Sequence, residues 1–298
     1  MSQGTKWLIL GGSGQLGQAL QEEITLQELD FEVYAPKNFN IVDHRKISEL
    51  IHDFRPHYVV NCAAWTDVRN AEYQEEDANQ VNGWSVQNIG IAAQECKSTL
   101  FHFSTDYVFS GESKNLYTEE ELPDPVNAYG RSKALGENLL GDLGIEKYYV
   151  LRTAWLYGKH RSNFIKSILS KHLTGQNAIE IINDQFGNPT NARELARRVI
   201  EISEKNIPSG IYHAVNTGST SWFDFAEHAF KALRLNPETL VATQTQINET
   251  LKRPKNSALD SRKWTSVGMP FMCSWQEALE SAIHEIFEEV KKEIAIGY

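Results

Sequence analysis

A chain of 298 residues exceeds the usual single-domain size, so one large α/β unit with a smaller lobe attached is the first expectation. With 41% hydrophobic and 23% charged residues it does not read as disordered, and no apolar run approaches the roughly 20 residues of a membrane helix. The formal charge of −10 argues against a general nucleic-acid footprint, so an anionic ligand must find a local basic pocket.

The first strand-like residues, Trp7 to Leu10, follow so soon after the start that no cleavable leader fits before them. Cys62, Cys96 and Cys273 are widely spaced, with no CxxC pair and no histidine pattern nearby, and are read as reduced, buried thiols of a soluble cytoplasmic protein.

Strand-like and helix-like segments then alternate: 6–10 and 15–24, 31–35 and 44–54, 58–63 and 71–97, 99–104 and 127–143, then 147–154. Such a run of βαβ units predicts a Rossmann-type, doubly wound parallel sheet with right-handed crossovers and ligands at the C-terminal ends of its strands. Residues 1–157 are assigned to this dinucleotide-binding domain. The stretch "TEEELPDPVN" is expected to be a solvated loop, since Pro123 and Pro125 break regular structure.

Beyond "RTAWLYG" the rhythm loosens into a helix over 163–174, a strand "IEIIN", a loop "DQFGNPT", a helix near 191–205, a strand "GIYHAVN" and further helices. Residues 158–298 are assigned mainly to a smaller C-terminal substrate-binding lobe, with segments near 187–206 returning to the first domain. The closing "SWQEALESAIHEIFEEVKKEI" has the apolar spacing of a packing helix.

Three features carry chemistry. In "LILGGSGQLGQAL", Gly11, Gly14 and Gly17 sit between the first strand and the first helix. Glycines there allow a tight turn and close approach of a pyrophosphate to the free N–H groups of a helix N-terminus. The second strand ends in Pro36, Lys37 and Asn38 without the carboxylate that would hold the ribose of NAD, which tilts the cofactor toward NADP while leaving NAD open. Finally, "NAYGRSKALGE" places Tyr129 and Lys133 one helical turn apart, where an ammonium can favour a phenolate, and "FHFSTDYVFSG" brings Ser104 and Thr105 to a strand C-terminus.

With these motifs in this order, the chain resembles the extended short-chain dehydrogenase/reductase superfamily and, within it, the dTDP-4-dehydrorhamnose reductase family. The finer resemblance rests on "GGSGQLG", "RPHYVVNCAAWTDV", "STDYVFSG", "NAYGRSKALGE", "RTAWLYG", "NDQFGNPT", "GIYHAVNTGSTSWFDFA" and "RPKNSALD". It implies NAD(P)H-dependent reduction of the 4-keto group of a nucleotide-linked 6-deoxyhexose, a late step toward dTDP-rhamnose and cell-surface polysaccharide.

By that resemblance the cofactor is held by Gly11, Ser13, Gly14, Gln15 and Leu16, by Asn40 and Ile41 after the second strand, by Cys62, Ala63 and Ala64 along the cleft, and by Tyr129 and Lys133. Lys37 joins this set through the charge argument. Tyr129, Lys133 and Thr105 are the implied catalytic residues, and Thr105, Asp106, Tyr129, Trp155 and Arg253 the substrate-binding ones. Arg253 is the first candidate for the substrate's pyrophosphate and Arg69 the second. For Gln185, Asn188 and Arg253, contact with the nucleotide and a structural role in turns are both open, and Trp222 is read as core.

Two departures from the family pattern stand out: Asn40 where an Asp is common, and Arg69 where an acid is common. Asp43 is read instead as a helix N-cap. No metal ligands are identified, a Mg²⁺ role stays open, and the expected assembly is a monomer or homodimer with a nucleotide sugar as partner and neither nucleic acid nor membrane. The alternatives are a reductase giving another sugar such as 6-deoxytalose, an epimerase, and a non-catalytic regulatory subunit resembling that of methionine adenosyltransferase.

Overall fold

The computed structural model describes residues 4–27, 31–37, 40–245 and 251–297; Asn38 lies outside the described residues. The chain runs β1 (Thr5–Leu10), α1 (Gln15–Leu26), β2 (Phe31–Tyr34), α2 (His44–Phe54), β3 (Tyr58–Asn61), α3 (Val68–Ala71), α4 (Glu75–Asn79) and α5 (Ser85–Glu95). It continues through β4 (Thr99–Thr105), α6 (Ala128–Asp142), β5 (Tyr148–Thr153), β6 (Leu156–Tyr157), α7 (Phe164–Leu173), β7 (Ile179–Ile182), β8 (Phe186–Gly187) and β9 (Thr190–Asn191). It ends with α8 (Ala192–Glu204), β10 (Gly210–His213), β11 (Thr220–Ser221), α9 (Trp222–Ala232), β12 (Leu240–Thr243), α10 (Lys263–Ser266) and α11 (Trp275–Ile296).

Six parallel strands form the main sheet in the order β2-β1-β3-β4-β5-β10. From β1 the chain steps outward to β2 and then crosses back to β3 on the other side. The strand order therefore reverses between β1 and β3, and a crevice opens there at the C-terminal strand ends. Successive residues of β1 bury on opposite faces: Trp7 and Ile9 join Leu20, Phe101, Leu151, Val199 and Trp264, while Leu8 and Leu10 join Ile47, Ile51, Ile89, Leu100 and Val150. Helices cover both faces, which is why these strands read as unbroken apolar runs. A separate core of Tyr157, Ile165, Leu169, Ile179, Phe225, Phe230, Leu279 and Ile283 holds the remaining helices and the β7/β12 pair.

Several local expectations change. The helix read over 71–97 is interrupted: α3 ends early and a turn follows, and between α4 and α5 the hydrogen bonding widens to a π-helical turn, Gln80–Trp84. Its cause is tertiary. Buried Asn82 accepts from the Trp65 amide at 2.9 Å and donates to the Trp65 carbonyl at 3.0 Å and to Ser132 Oγ at 2.9 Å. Single π-turns of this kind recur near functional sites.

The stretch "GIYHAVN" is a strand only over Gly210–His213 and extends the large sheet beyond β5. Within the acidic loop, Glu119 is partly enclosed, not solvated: it accepts from the His213 amide at 2.9 Å, and burial raises its pKa. The three cysteines are free and half-buried, not fully buried. Asp43 does cap α2, accepting from the Lys46 amide at 3.2 Å. Among the described residues no helix is long and apolar enough to cross a membrane.

Candidate active site

The site is assembled at the crevice. Gly14 occupies the N-cap position of α1 without a side-chain cap, and no acidic residue sits in the first turn, so the leading N–H groups of the helix are left for a ligand. The turn before it closes by a Gly14 N–H to Gly11 carbonyl bond of 2.9 Å. Gly11 has φ +76°, and a Cβ there would lie 2.5 Å from the Ala63 nitrogen, so the β1 and β3 loops touch only because this residue is glycine.

A cleft of about 510 Å³ runs from this helix end across the ends of β3, β4 and β5. Gly14, Gln15, Leu16, Cys62, Ala64, Thr105, Asp106, Tyr129, Lys133 and Trp155 all line it. The rest of the sequence-derived set lies elsewhere. Gly11 and Ala63 pack on each other behind the cleft, while Ser13 is exposed and its carbonyl accepts from Gln18 at 2.8 Å. Lys37 is exposed in the turn after β2, close in sequence to Ala35, against which Gly12 packs. Asn40 Oδ1 accepts from the Val42 amide at 3.2 Å, and Ile41 packs against the core. Arg69 is exposed on α3.

The polar groups at the end of β4 are tightly coupled. Thr105 Oγ1 donates to Asp106 Oδ1 at 3.0 Å and accepts from the Tyr107 amide at 3.2 Å. Ser257 Oγ donates to the other Asp106 oxygen, yet burial dominates and raises this carboxyl to about 6. Burial also raises the Tyr129 phenol; a hydrogen bond with Thr105 opposes that rise, while the charge of Asp106 adds to it. Tyr107 stands edge-on to Tyr129 with ring centres 5.8 Å apart.

Lys133 is buried, and its amine is pushed down to about 8 by burial, with Glu137 opposing weakly. Its hydrogen-bonding partner is not the phenol: Nζ lies 3.3 Å from His102 Nε2. The lysine charge is therefore not what favours the Tyr129 phenolate; a hydrogen bond with Thr105 does so once the single Thr105 hydroxyl proton turns from Asp106 to the phenol oxygen.

The far wall is aromatic. Trp155, at φ +47°, stacks face to face on Trp222 with 3.5 Å between ring centres and 7° between planes. Gly187 makes room for the Trp155 edge, since a Cβ there would lie 2.6 Å from the indole. Gln185 donates to Thr245 Oγ1 at 3.1 Å. Asn188 bridges the Gly218 carbonyl and the Leu259 amide at 2.7 Å each, and so holds turns together. Arg253 lies in an adjoining exposed groove with Lys114, Lys252 and Lys255, its Nη1 3.3 Å from the Tyr107 hydroxyl.

Sequence reasoning missed three contributors, Arg161, Thr153 and Asn82. Arg161 lines the cleft from a left-handed backbone, φ +56°, in a loop that Asn163 ties to α1 by donating to Gln15 Oε1 at 3.0 Å and to the Gly158 carbonyl at 2.8 Å. Ser104 and Thr153 line the cleft, and their hydroxyls are buried without a hydrogen-bond partner among the described residues. Buried Asn82 fastens the Tyr129 helix to the Trp65 loop. None of the three carried a signal, whereas Ser104 was read from the sequence beside Thr105. No cluster of three or more His, Cys, Asp or Glu suited to a metal occurs among the described residues.

Residues 5–287 match the family model described as RmlD substrate binding domain. A dTDP-4-keto-6-deoxy-D-glucose reductase of Streptomyces niveus is 32% identical over 93% of this chain and 96% of its own length. A dTDP-4-dehydrorhamnose reductase of Streptomyces griseus is 32% identical over 92% and 91%. Among solved structures, the dTDP-4-dehydrorhamnose reductase of Bacillus anthracis str. Ames in complex with NADP superposes with a TM-score of 0.88 at 33% identity, covering 96% of this chain and 99% of that one.

Proposed function

Since the chain belongs to the dTDP-4-dehydrorhamnose reductase family, it is an NAD(P)H-dependent oxidoreductase of nucleotide-linked 4-keto sugars, and we propose that it converts dTDP-4-dehydro-L-rhamnose to dTDP-L-rhamnose. The observation that carries this reading is the meeting of Tyr129, Thr105 and Asp106 at the end of β4, in a cleft that begins at an uncapped helix N-terminus.

The residues present fit a nicotinamide dinucleotide. The free N–H groups of α1 suit its pyrophosphate, and the orphaned Ser104 and Thr153 hydroxyls suit polar groups deeper in the cleft. Bound there, the reduced dinucleotide supplies a hydride to the sugar C4. Tyr129 donates its proton to the C4 oxygen as negative charge develops on it, and the single Thr105 hydroxyl proton, turned from Asp106, steadies that oxygen. Asp106, ionised above about pH 6, accepts a sugar hydroxyl. Trp155, braced by Trp222, forms a flat wall for the sugar, and Arg253 with its neighbouring lysines takes the substrate's diphosphate.

Dinucleotide preference falls to Lys37, an exposed cation in a turn without a ribose-binding carboxylate among its described residues. Lys37→Glu should weaken NADPH by a few-fold, about 0.5–1 kcal/mol, and spare NADH. Raising salt should shrink the difference. Fluorescence titrations with both dinucleotides check this, and equal losses would assign the preference to another residue.

Arg161 offers a second cation at the pyrophosphate end of the cleft. A non-glycine residue held in the left-handed region costs about 1–2 kcal/mol. Arg161→Gly should therefore raise the thermal midpoint by a few degrees while weakening dinucleotide binding several-fold. A variant stabilised without loss of affinity would place the guanidinium outside the phosphate site.

The reaction itself is tested by supplying dTDP-4-dehydro-L-rhamnose with NADPH, following nicotinamide absorbance and determining the C4 configuration of the product by NMR. Oxidation with formation of the rhamno sugar is expected. Formation of the talo sugar, or no oxidation, overturns the assignment.

A further inference from the structure

Beneath the catalytic helix lies a hydrogen-bonded chain that the reaction does not use directly. The Ala63 amide, an unambiguous donor, points to Asn61 Oδ1 at 3.2 Å. This fixes the Asn61 amide so that Nδ2 faces His102 Nδ1, also at 3.2 Å. An NH₂ group can only donate, so His102 Nδ1 must accept, and the single proton of a neutral imidazole then sits on Nε2. His102 is fully buried, and that burial holds its imidazole neutral. The Nε2–H points at Lys133 Nζ, 3.3 Å away. An ammonium has donors only and would set N–H against N–H; an uncharged amine has the lone pair that the contact requires.

From this geometry we infer that in alkaline solution Lys133 is an uncharged amine in the protein alone, accepting a hydrogen bond from His102, and that binding of a nicotinamide dinucleotide there is accompanied by uptake of one proton onto it. The proton comes from solvent, and the ammonium it forms has donors for the ribose hydroxyls. His102 is thus a positioning residue that acts through Lys133 and links the lysine to the Cys62–Ala64 loop of the cleft.

The surrounding charges agree. Glu137, one turn along α6, is taken up by Arg152 of β5, with contacts of 2.9 Å from Nε and 2.6 Å from Nη2. Glu75 of α4 pairs with Arg131, and Glu72 accepts from the Ala128 amide at 2.7 Å. From the end of β4, Asp106 is engaged by Ser257 and Thr105, and Tyr129 carries a neutral phenol. Glu137 favours an ammonium here only by its charge at a distance, and burial outweighs it. The amine value of about 8 places the change in an accessible range.

The inference rests on the dinucleotide reading of the cleft, and two measurements separate its failure from the failure of that reading. In the protein alone, ¹⁵N NMR of labelled histidine should show His102 protonated at Nε2 and bare at Nδ1; a proton on Nδ1 overturns the inference whatever binds. With NADPH, calorimetric titration at pH 9 in buffers of different ionisation enthalpy should show uptake approaching one proton, falling as pH is lowered through about 8. Asp106, at about 6, is silent at pH 9. Binding without proton uptake overturns the inference, and absence of binding overturns the dinucleotide reading. His102→Gln, whose side-chain carbonyl can accept from an ammonium, should bind NADPH with little uptake; uptake as large as in the parent protein would remove His102 from the account.

Discussion

Tyr129→Phe is expected to lower kcat with the dTDP-4-keto sugar by about 10²–10⁴-fold, the usual contribution of a positioned proton donor. The loss should fall on kcat and kcat/KM alike, because the phenol meets the C4 oxygen most strongly as charge develops. Affinity for the dinucleotide should change little, since the ring remains to pack beside Tyr107 and Trp65. The substitution also spares the fold. The phenol is buried with Thr105 as its polar partner, and Thr105 keeps its bonds to Asp106 and to the Tyr107 amide. Steady-state kinetics and a dinucleotide titration check both halves. Near-parental kcat would assign the proton to another group in the cleft, with Asp106 first in line.

Lys133→Met is expected to abolish most turnover and weaken the dinucleotide strongly while making the fold more stable. The side chain is 1% exposed, and a methionine of similar length fills the same channel without a polar end. The sign with pH follows from the amine. Folded, it holds its proton only below about 8, whereas the unfolded chain holds it to the ordinary value of 10.5. Below pH 8 the fold thus bears the full cost of burying an ammonium; between 8 and 10.5 that cost declines as the unfolded state comes to bind more protons than the folded one. The gain in thermal midpoint for Lys133→Met should be largest below pH 8 and shrink above it. Thermal melts across that range, beside a dinucleotide titration, check the two effects separately. A variant that melts lower at every pH would mean that the lysine is an asset to the fold.

The parallel sheet was legible because its signal is local. Leu8 to Leu10 and Val59 to Val60 are buried on both faces, so their runs read as strands without knowledge of their neighbours. The proximity of Tyr129 and Lys133 was legible for the same reason, since helical spacing alone puts them on one side of α6. What the sequence hid arises from contacts between distant segments. The partner of Lys133 is His102, 31 residues away on β4, and no spacing rule joins them. The left-handed backbone of Arg161 is imposed by a loop tied to α1, not by arginine's own preference. Arg253 sits in a neighbouring groove, beside the Tyr107 hydroxyl, a partner 146 residues away in sequence. The break in the helix read over 71–97 was hidden likewise, since Gln80 to Trp84 contains nothing that ordinary helix preferences would forbid.

That π-turn holds one residue more than an α-helix would use over the same rise. Removing a single residue between Gln80 and Trp84 would restore regular hydrogen bonding, an apparent repair. The widened turn already absorbs its extra residue, so the deletion would leave α4 and α5 facing as they do, with Ile89 and Ala93 still on the sheet. What would go is the seat of Asn82, and with it the contacts to Trp65 and Ser132. The surplus residue thus works as a local bulge that pushes one polar side chain out of the helical path and into the seam beneath Tyr129. A shorter chain here would keep the apolar core along α5 and undo that seam, although no side chain of the cleft would have been altered.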